Sequence, residues 1–260
     1  MNGLGFFVFG RFVAYYGLMI VVGILAGAVV GYVQVKRFRL DMNDLILISA
    51  LSGLFGIIGA KLLYLIVTIP KTDFSKFQGF SDIGNWMRGG FVFLGGVIGM
   101  LLALCFCAKK LHIPMQPYVQ ACMACFPIGH GFGRIGCYLV GCCYGVPYDG
   151  PFAVIYTSSA IAPNGVPLFP VQLAEALLEF VIGGVLLIFS RKLRGNSAVL
   201  VYLIVYAVVR FALEFLRYDS ARGGVGGIST SQLLSVILFC ASLVFLFRAR
   251  TDGTADKAVD

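Results

Sequence analysis

The sequence predicts an all-α protein, a polytopic membrane helical bundle with seven transmembrane helices. Three observations predict it. The 260 residues are 59% hydrophobic, with a mean hydropathy of +0.92, whereas soluble domains rarely exceed about half apolar. Only 12% of the residues are charged. Seven runs approach or reach the roughly 20 mostly apolar residues that a helix needs to cross about 30 Å of hydrocarbon: 15–35, 45–69, 89–108, 117–139, 171–189, 198–216 and 228–247. Lipid offers no partner to an unpaired backbone group, so the runs are read as helices rather than open sheet.

Taken in order, the first run has no secretory cleavage pattern before it and reads as a spanning helix. A basic loop, 36–44, follows with Lys36, Arg37 and Arg39. The second run carries Lys61, and a long loop, 70–88, mixes Lys71, Lys76 and Arg88 with Asp73 and Asp82. The third run is glycine-rich and ends at Lys109 and Lys110. The fourth holds His130 and Arg134. The loop 140–170 has no Lys or Arg, but has Pro147, Pro151, Pro163, Pro167 and Pro170. A long loop of that kind on a helical scaffold often carries function. The fifth run opens with Gln172, Glu175 and Glu179, and Arg191, Lys192 and Arg194 follow it. The sixth carries Arg210 and Glu214, with Arg217 and Arg222 beyond. The seventh leads to Arg248, Arg250 and Lys257. Residues 251–260 are expected to be a disordered cytoplasmic tail behind a single domain over 1–250.

A net charge of +8 would suggest nucleic acid in a soluble chain. Here the cations sit in short loops and set topology, so no nucleic-acid partner is expected. Eleven Lys and Arg fall on one side of the runs and six on the other. The richer side is expected to be cytoplasmic, with the N-terminus outside and the C-terminus inside.

Lys61, Arg134 and Arg210 remain inside runs. Each lies 12 to 17 residues past its helix start, about 18–25 Å from the cytoplasmic face at 1.5 Å per residue. Gln172, Glu175, Glu179, Glu214 and Arg217 reach the same outer half. Arg210, Glu214 and Arg217 share one helical face by their i, i+4, i+7 spacing. A buried ionisable group costs at least a few kcal/mol, so the set reads as a functional site. A water-accessible cationic cavity would hold a phosphate, whose oxygens match the fork of an arginine.

The stretch GHGFGRIGCYLVGCCYG, 129–145, adds three thiols. Cys105, Cys107, Cys122, Cys125 and Cys240 read as small apolar side chains. Cys137, Cys142 and Cys143 lie beside Arg134, which favours the reactive thiolate. A disulfide between Cys137 and either Cys142 or Cys143 is open in an oxidising outer compartment. Zinc wants four regularly spaced ligands, and His130 with these three fits that pattern weakly. No metal or organic cofactor is implied.

These features together resemble the prolipoprotein diacylglyceryl transferase family over nearly the whole chain. The resemblance rests on Tyr16-Gly17-Leu18-Met19 followed by Gly23, on GGFVFLGGVIG at 89–99, and on GRIG at 133–136 closed by Gly141 and Gly145. It rests further on Pro170, Gln172, Leu173 and Glu175, on YLIVYAVVRFALEFLR at 202–217, and on ISTSQLLS at 228–235. It implies transfer of diacylglyceryl from phosphatidylglycerol to the lipobox cysteine thiol of a preprolipoprotein, in the bacterial inner membrane. A thioether forms and glycerol 1-phosphate leaves. It makes Arg134 and Arg210 the catalytic cations, with Tyr16, Gln172, Glu175, Glu214, Gly145 and Arg217 binding substrate.

The family's third-helix histidine is Leu94 here. Its asparagines and glutamate after GRxG are Cys137, Val140 and Cys142, and its tyrosine near helix five is Ala174. His130, one turn before Arg134, is expected to replace the missing histidine as base for the incoming thiol. The second reading is a divergent lipid-headgroup or thiol-redox enzyme on the same fold, using Cys137, Cys142 and Cys143. A transporter is the third, although no paired discontinuous repeat is visible.

Overall fold

The computed structural model describes residues 4–255, apart from 74, 76, 78, 88, 194–196, 219–223, 226 and 227. Lys76, Arg88, Arg194, Arg222 and Lys257, used above to weigh the two sides, lie outside the described residues. The chain divides into two compact units, Arg39–Tyr118 and the remainder, Met1–Phe38 with Val119–Asp260.

In the Arg39–Tyr118 unit, α2 (Met42–Thr68) starts at Asp41, whose carboxylate accepts from the Asn43 N–H at 2.8 Å. Such a cap satisfies one of the orphan donors of a first helical turn. A 3-10 turn, Ile69–Lys71, and a short helix α3 (Phe80–Met87) break up the loop after it. Helix α4 (Phe93–Lys110) packs on α2 through glycines. A Cβ on Gly59 would sit 2.3 Å from the Gly95 carbonyl oxygen, and one on Gly99 would sit 2.0 Å from that of Phe55. Small residues let membrane helices approach this closely, where lipid supplies no hydrophobic drive. Lys61 is satisfied within this unit, donating to the carbonyls of Gly89 at 2.9 Å and Gly90 at 3.4 Å. Gly99→Val must push α2 and α4 apart. It is expected to cost about 1–3 kcal/mol or more, read as a lower melting temperature in detergent; an unchanged melt would contradict the close packing.

In the other unit, strands β1 (Gly5–Val8) and β2 (Arg11–Ala14) form a hairpin. Phe9 and Gly10 turn it with φ of +47° and +74°, the paired positive angles of a tight hairpin turn. Helices α1 (Tyr15–Phe38), α6 (Cys125–Val140), α7 (Val171–Phe189), α8 (Ser197–Glu214) and α9 (Thr230–Ala255) make the bundle. Glycine again sets the contacts. A Cβ on Gly23 would meet the Gly129 oxygen at 3.1 Å, and one on Gly131 would meet the Phe180 ring at 2.6 Å. Ala124, Ile182, Leu186 and Tyr202 form the buried apolar cluster. Ile24, Leu177 and Phe247 point outward and are exposed, as side chains solvated by lipid would be.

The all-α membrane architecture is as expected. The count of seven single spans is not confirmed. Among the described residues, six helices are long and apolar enough to cross a membrane: α1, α2, α4, α7, α8 and α9 up to Arg248. The run 117–139 folds as two pieces, α5 (Met115–Cys122) and the 16-residue α6. The break falls at Met123 and Ala124, just ahead of Pro127, which has no N–H to continue a hydrogen-bond ladder and sits in the first turn of the new helix. At its other end α9 continues through Ala255, so 251–255 are helical rather than disordered, and 256–260 lie outside the described residues.

Candidate active site

Two pairs of side chains link α6 to α7. Arg134 Nη2 lies 2.7 Å from Glu175 Oε1, and His130 Nδ1 lies 2.8 Å from Glu179 Oε1. Stepping four residues forward on α6 matches stepping four back on α7, so the helices run antiparallel with one face of each turned to the other. Glu175 and Glu179 are buried, at 1% and 0% side-chain exposure. A carboxylate that dry survives only beside a cation or a donor. The His130 contact is short but lies off the line of a hydrogen bond.

Helix α8 adds a ladder at i, i+4 spacing: Tyr202, Tyr206, Arg210 and Glu214. The Tyr202 hydroxyl donates to Glu179 Oε2 at 3.5 Å. The Tyr206 ring stacks on Tyr202 and meets the His130 ring edge-on at 5.5 Å. Arg210 Nη2 is 2.8 Å from Glu214 Oε2 and donates to Ser231 Oγ at 3.1 Å. Tyr206 lies within electrostatic reach of both Arg134 and Arg210. Arg134 Nε and Arg210 Nη1 are buried, with no hydrogen-bond partner among the described residues.

At the end of α6, Gly141 caps the helix in the left-handed region at φ +80°. A Cβ-free residue takes that conformation without steric cost. The chain turns back, and the Cys142 N–H donates to the Cys137 carbonyl at 3.1 Å. Gln172 Nε2 donates to the Cys142 carbonyl at 2.8 Å. Tyr156, buried in a small core with Ala162 and Leu168, donates to the Tyr138 carbonyl at 2.9 Å. Gly145 pairs with Arg217 in an antiparallel bridge, and a Cβ there would sit 2.4 Å from the Phe169 oxygen. Strands β3 (Val154–Ile155) and β4 (Pro167–Leu168) brace the same loop. The Tyr16 ring lies against Gly136, within electrostatic reach of Arg134 and the three thiols.

The sulfurs of Cys137, Cys142 and Cys143 all lie within 4.8 Å of one another, and His130 is not among them. All eight cysteines are free thiols. The Cys143 thiol is held below its ordinary range, first by hydrogen bonds with Cys137 and Cys142 and then by the charge of Arg217. Among the described residues, these three form the group with a donor set for a metal.

The Met1–Phe38 and Val119–Asp260 unit therefore assembles Arg134, Arg210, His130, Tyr16, Gln172, Glu175, Glu214, Gly145, Arg217 and the three cysteines. Lys61, the third intramembrane cation, belongs to the other unit. Sequence reasoning placed Glu179 in the ionisable set without giving it a role, and did not assign Tyr202, Tyr206 or Ser231 to the site. The i, i+4 ladder of Tyr202, Tyr206 and Arg210 was the signal for the two tyrosines.

Arginines and a histidine paired with buried glutamates, on a scaffold whose described residues include six helices long and apolar enough to span, define a polytopic membrane protein with an ionisable cluster in its helical bundle. The family model for prolipoprotein diacylglyceryl transferase matches residues 6–248, and the chain belongs to that family. It is 35% identical to the phosphatidylglycerol–prolipoprotein diacylglyceryl transferase of Clostridium tetani, over 95% of this chain and 97% of that one. It is 32% identical to the transferase 2 of the same description from Clostridium perfringens, over 91% of each chain. The corresponding protein of Dehalococcoides mccartyi is 28% identical over 94% of this chain and 93% of that one.

Proposed function

We infer that this chain transfers the diacylglyceryl group of phosphatidylglycerol to the lipobox cysteine thiol of a preprolipoprotein. It does so as a single domain over 1–250 in the bacterial cytoplasmic membrane, with its N-terminus outside and its C-terminus cytoplasmic. One observation carries the reading. Arg134 and Arg210 each pair with one glutamate and each keep one buried N–H without a hydrogen-bond partner among the described residues. An orphaned buried donor is costly, and a phosphate oxygen would satisfy it.

The reaction breaks the carbon–oxygen bond to that phosphate. Negative charge grows on the leaving oxygen, and donors already aimed at it lower the barrier without reorganising. Glu214 orients Arg210 one turn away, and Glu175 orients Arg134. Tyr16 and Gln172 position the headgroup. Arg217, fixed by its bridge to Gly145, adds a cation at the mouth of the site. His130, polarised by Glu179, takes the proton of the acceptor thiol at Nε2. Holding lipid and thiol together contributes the entropic part of the rate.

His130→Ala is expected to lower kcat by about 100-fold, the usual effect of losing a positioned base. KM for the lipid should hold, since His130 does not face the phosphate in this scheme. Full activity in H130A would remove the base from this account. The function is tested by expressing the chain in a bacterium depleted of its own diacylglyceryl transferase. Restored lipidation is expected, and unprocessed preprolipoprotein despite membrane-inserted protein would contradict it. The thiol cluster supports a second reading, a thiol-redox enzyme. That enzyme would cycle two of Cys137, Cys142 and Cys143 between dithiol and disulfide by exchange with a partner disulfide, and no thioether would form.

A further inference from the structure

Three thiols meet at the end of α6, and no step above uses them. Their sulfurs lie within 4.8 Å of one another, and the chain is shaped to bring them there. Gly141 turns the backbone at φ +80°. Cys143 then adopts φ +58°, a region that side chains other than those of Asn and Asp seldom enter. Gln172 and Tyr156 brace the carbonyls on either side. Cys137 is buried and the other two are half-buried.

A tetrahedral ion with bonds of about 2.3 Å to sulfur holds its thiolates about 3.8 Å apart, within about 1 Å of the observed spread of up to 4.8 Å. Three thiolates around a divalent ion sum to one negative charge. Arg217 hydrogen-bonds Cys143, and Arg134 lies within electrostatic reach of Cys137 and Cys143, so the surroundings balance that charge. Outer partners of this kind orient and tune ligands. Structural zinc is closed by four protein ligands, whereas reactive zinc has three and an exchangeable fourth position. Among the described residues, three are present.

We propose that Cys137, Cys142 and Cys143 bind a thiophilic divalent ion of the zinc class, whose open fourth position takes the acceptor thiol. The identity of that fourth ligand rests on the transfer reading; the metal site does not. Coordination deprotonates a thiol outright. The proton passes through solvent to His130, two turns back on the same face of α6. The sulfur then attacks the diacylglyceryl carbon. A carbon–sulfur bond forms, the carbon–oxygen bond breaks, and the electron pair leaves on the phosphate oxygen facing Arg134 and Arg210. No oxidant or reductant is needed. The product thioether is a far weaker ligand than a thiolate and leaves the ion.

The test uses the full chain in detergent, reduced, stripped with a chelator and titrated with Co2+. Wild type is expected to bind one equivalent with a tetrahedral thiolate spectrum. Cys137→Ser, Cys142→Ser and Cys143→Ser should each bind at least about 100-fold more weakly, at or beyond the upper end of what losing an outer-shell partner costs. Cys240→Ser should bind as wild type, and melting in detergent confirms that each variant is folded. A lipobox peptide should intensify the sulfur-to-cobalt band, and its Cys→Ser counterpart should not. Equal loading of wild type and Cys142→Ser would overturn the site. So would a disulfide that re-forms and excludes Co2+, while full transfer by metal-free protein would overturn the role given to the fourth position. Co2+ binding with the peptide response, but no glycerol phosphate released by the Zn2+-loaded chain, would uphold the site and sink the transfer reading instead.

Discussion

Arg134→Ala is expected to slow diacylglyceryl transfer by about 1,000-fold, the upper range for removing one preorganised donor from a developing oxyanion. Two features make the effect large. The guanidinium is 14% exposed and already held by Glu175 at 2.7 Å, so it needs no rearrangement when charge develops. Its Nε is buried without a partner among the described residues, so a second donor is ready for phosphate. Arg134→Lys keeps the charge and loses the fork. It is expected to recover only part of the rate, because an ammonium cannot present two fixed parallel donors. Steady-state rates with phosphatidylglycerol and a lipobox peptide decide this. Activity of Arg134→Ala within about tenfold of wild type would place the phosphate elsewhere, since even one lost donor costs about 100-fold.

Glu175→Ala is expected to destabilise the bundle by about 3–5 kcal/mol, the cost of leaving a buried partner without its counter-charge. Glu175 is 1% exposed, and water does not reach Arg134 from that side. The loss should appear as a lower melting temperature in a neutral detergent. Adding phosphatidylglycerol should recover part of it, because a bound phosphate would supply the missing negative charge and binding stabilises the folded state. Phosphatidylcholine, whose zwitterionic headgroup carries its own cation, should recover less. Equal recovery by both lipids would show that Arg134 does not recognise the anion.

Composition made the fold class legible, because a helix in lipid announces itself by length and apolar content. The run 171–189 coincides with α7, Val171–Phe189. The run 117–139 misled because hydropathy does not register where hydrogen bonding stops, and Pro127 looks apolar while restarting the helix. The hairpin of β1 and β2 was also missed. Its four-residue strands are too short to stand out beside 20-residue runs.

The candidate site was legible as a set of side chains and not as an arrangement. Arg134, Glu175, Arg210 and Glu214 were all singled out by the cost of placing them in hydrocarbon. Only Arg210 with Glu214 could be paired from spacing, since they share one helix. The pairing of His130 with Glu179 and of Arg134 with Glu175 depends on how the loop 141–170 returns the chain, which no local rule fixes. The three cysteines were visible as neighbours in sequence. Their convergence required the turn at Gly141, and that glycine gave no hint of what it brings together.

The most direct test of the central claim is a single-turnover assay with purified protein, phosphatidylglycerol labelled in its terminal glycerol, and a lipobox peptide. The account predicts that labelled glycerol phosphate and thioether-linked peptide appear in equal amounts, and that both vanish in Arg134→Ala. Labelled glycerol phosphate without lipidated peptide would mean that the site cleaves headgroups for another purpose. Neither product, from folded protein that binds the lipid, would contradict the transfer reading.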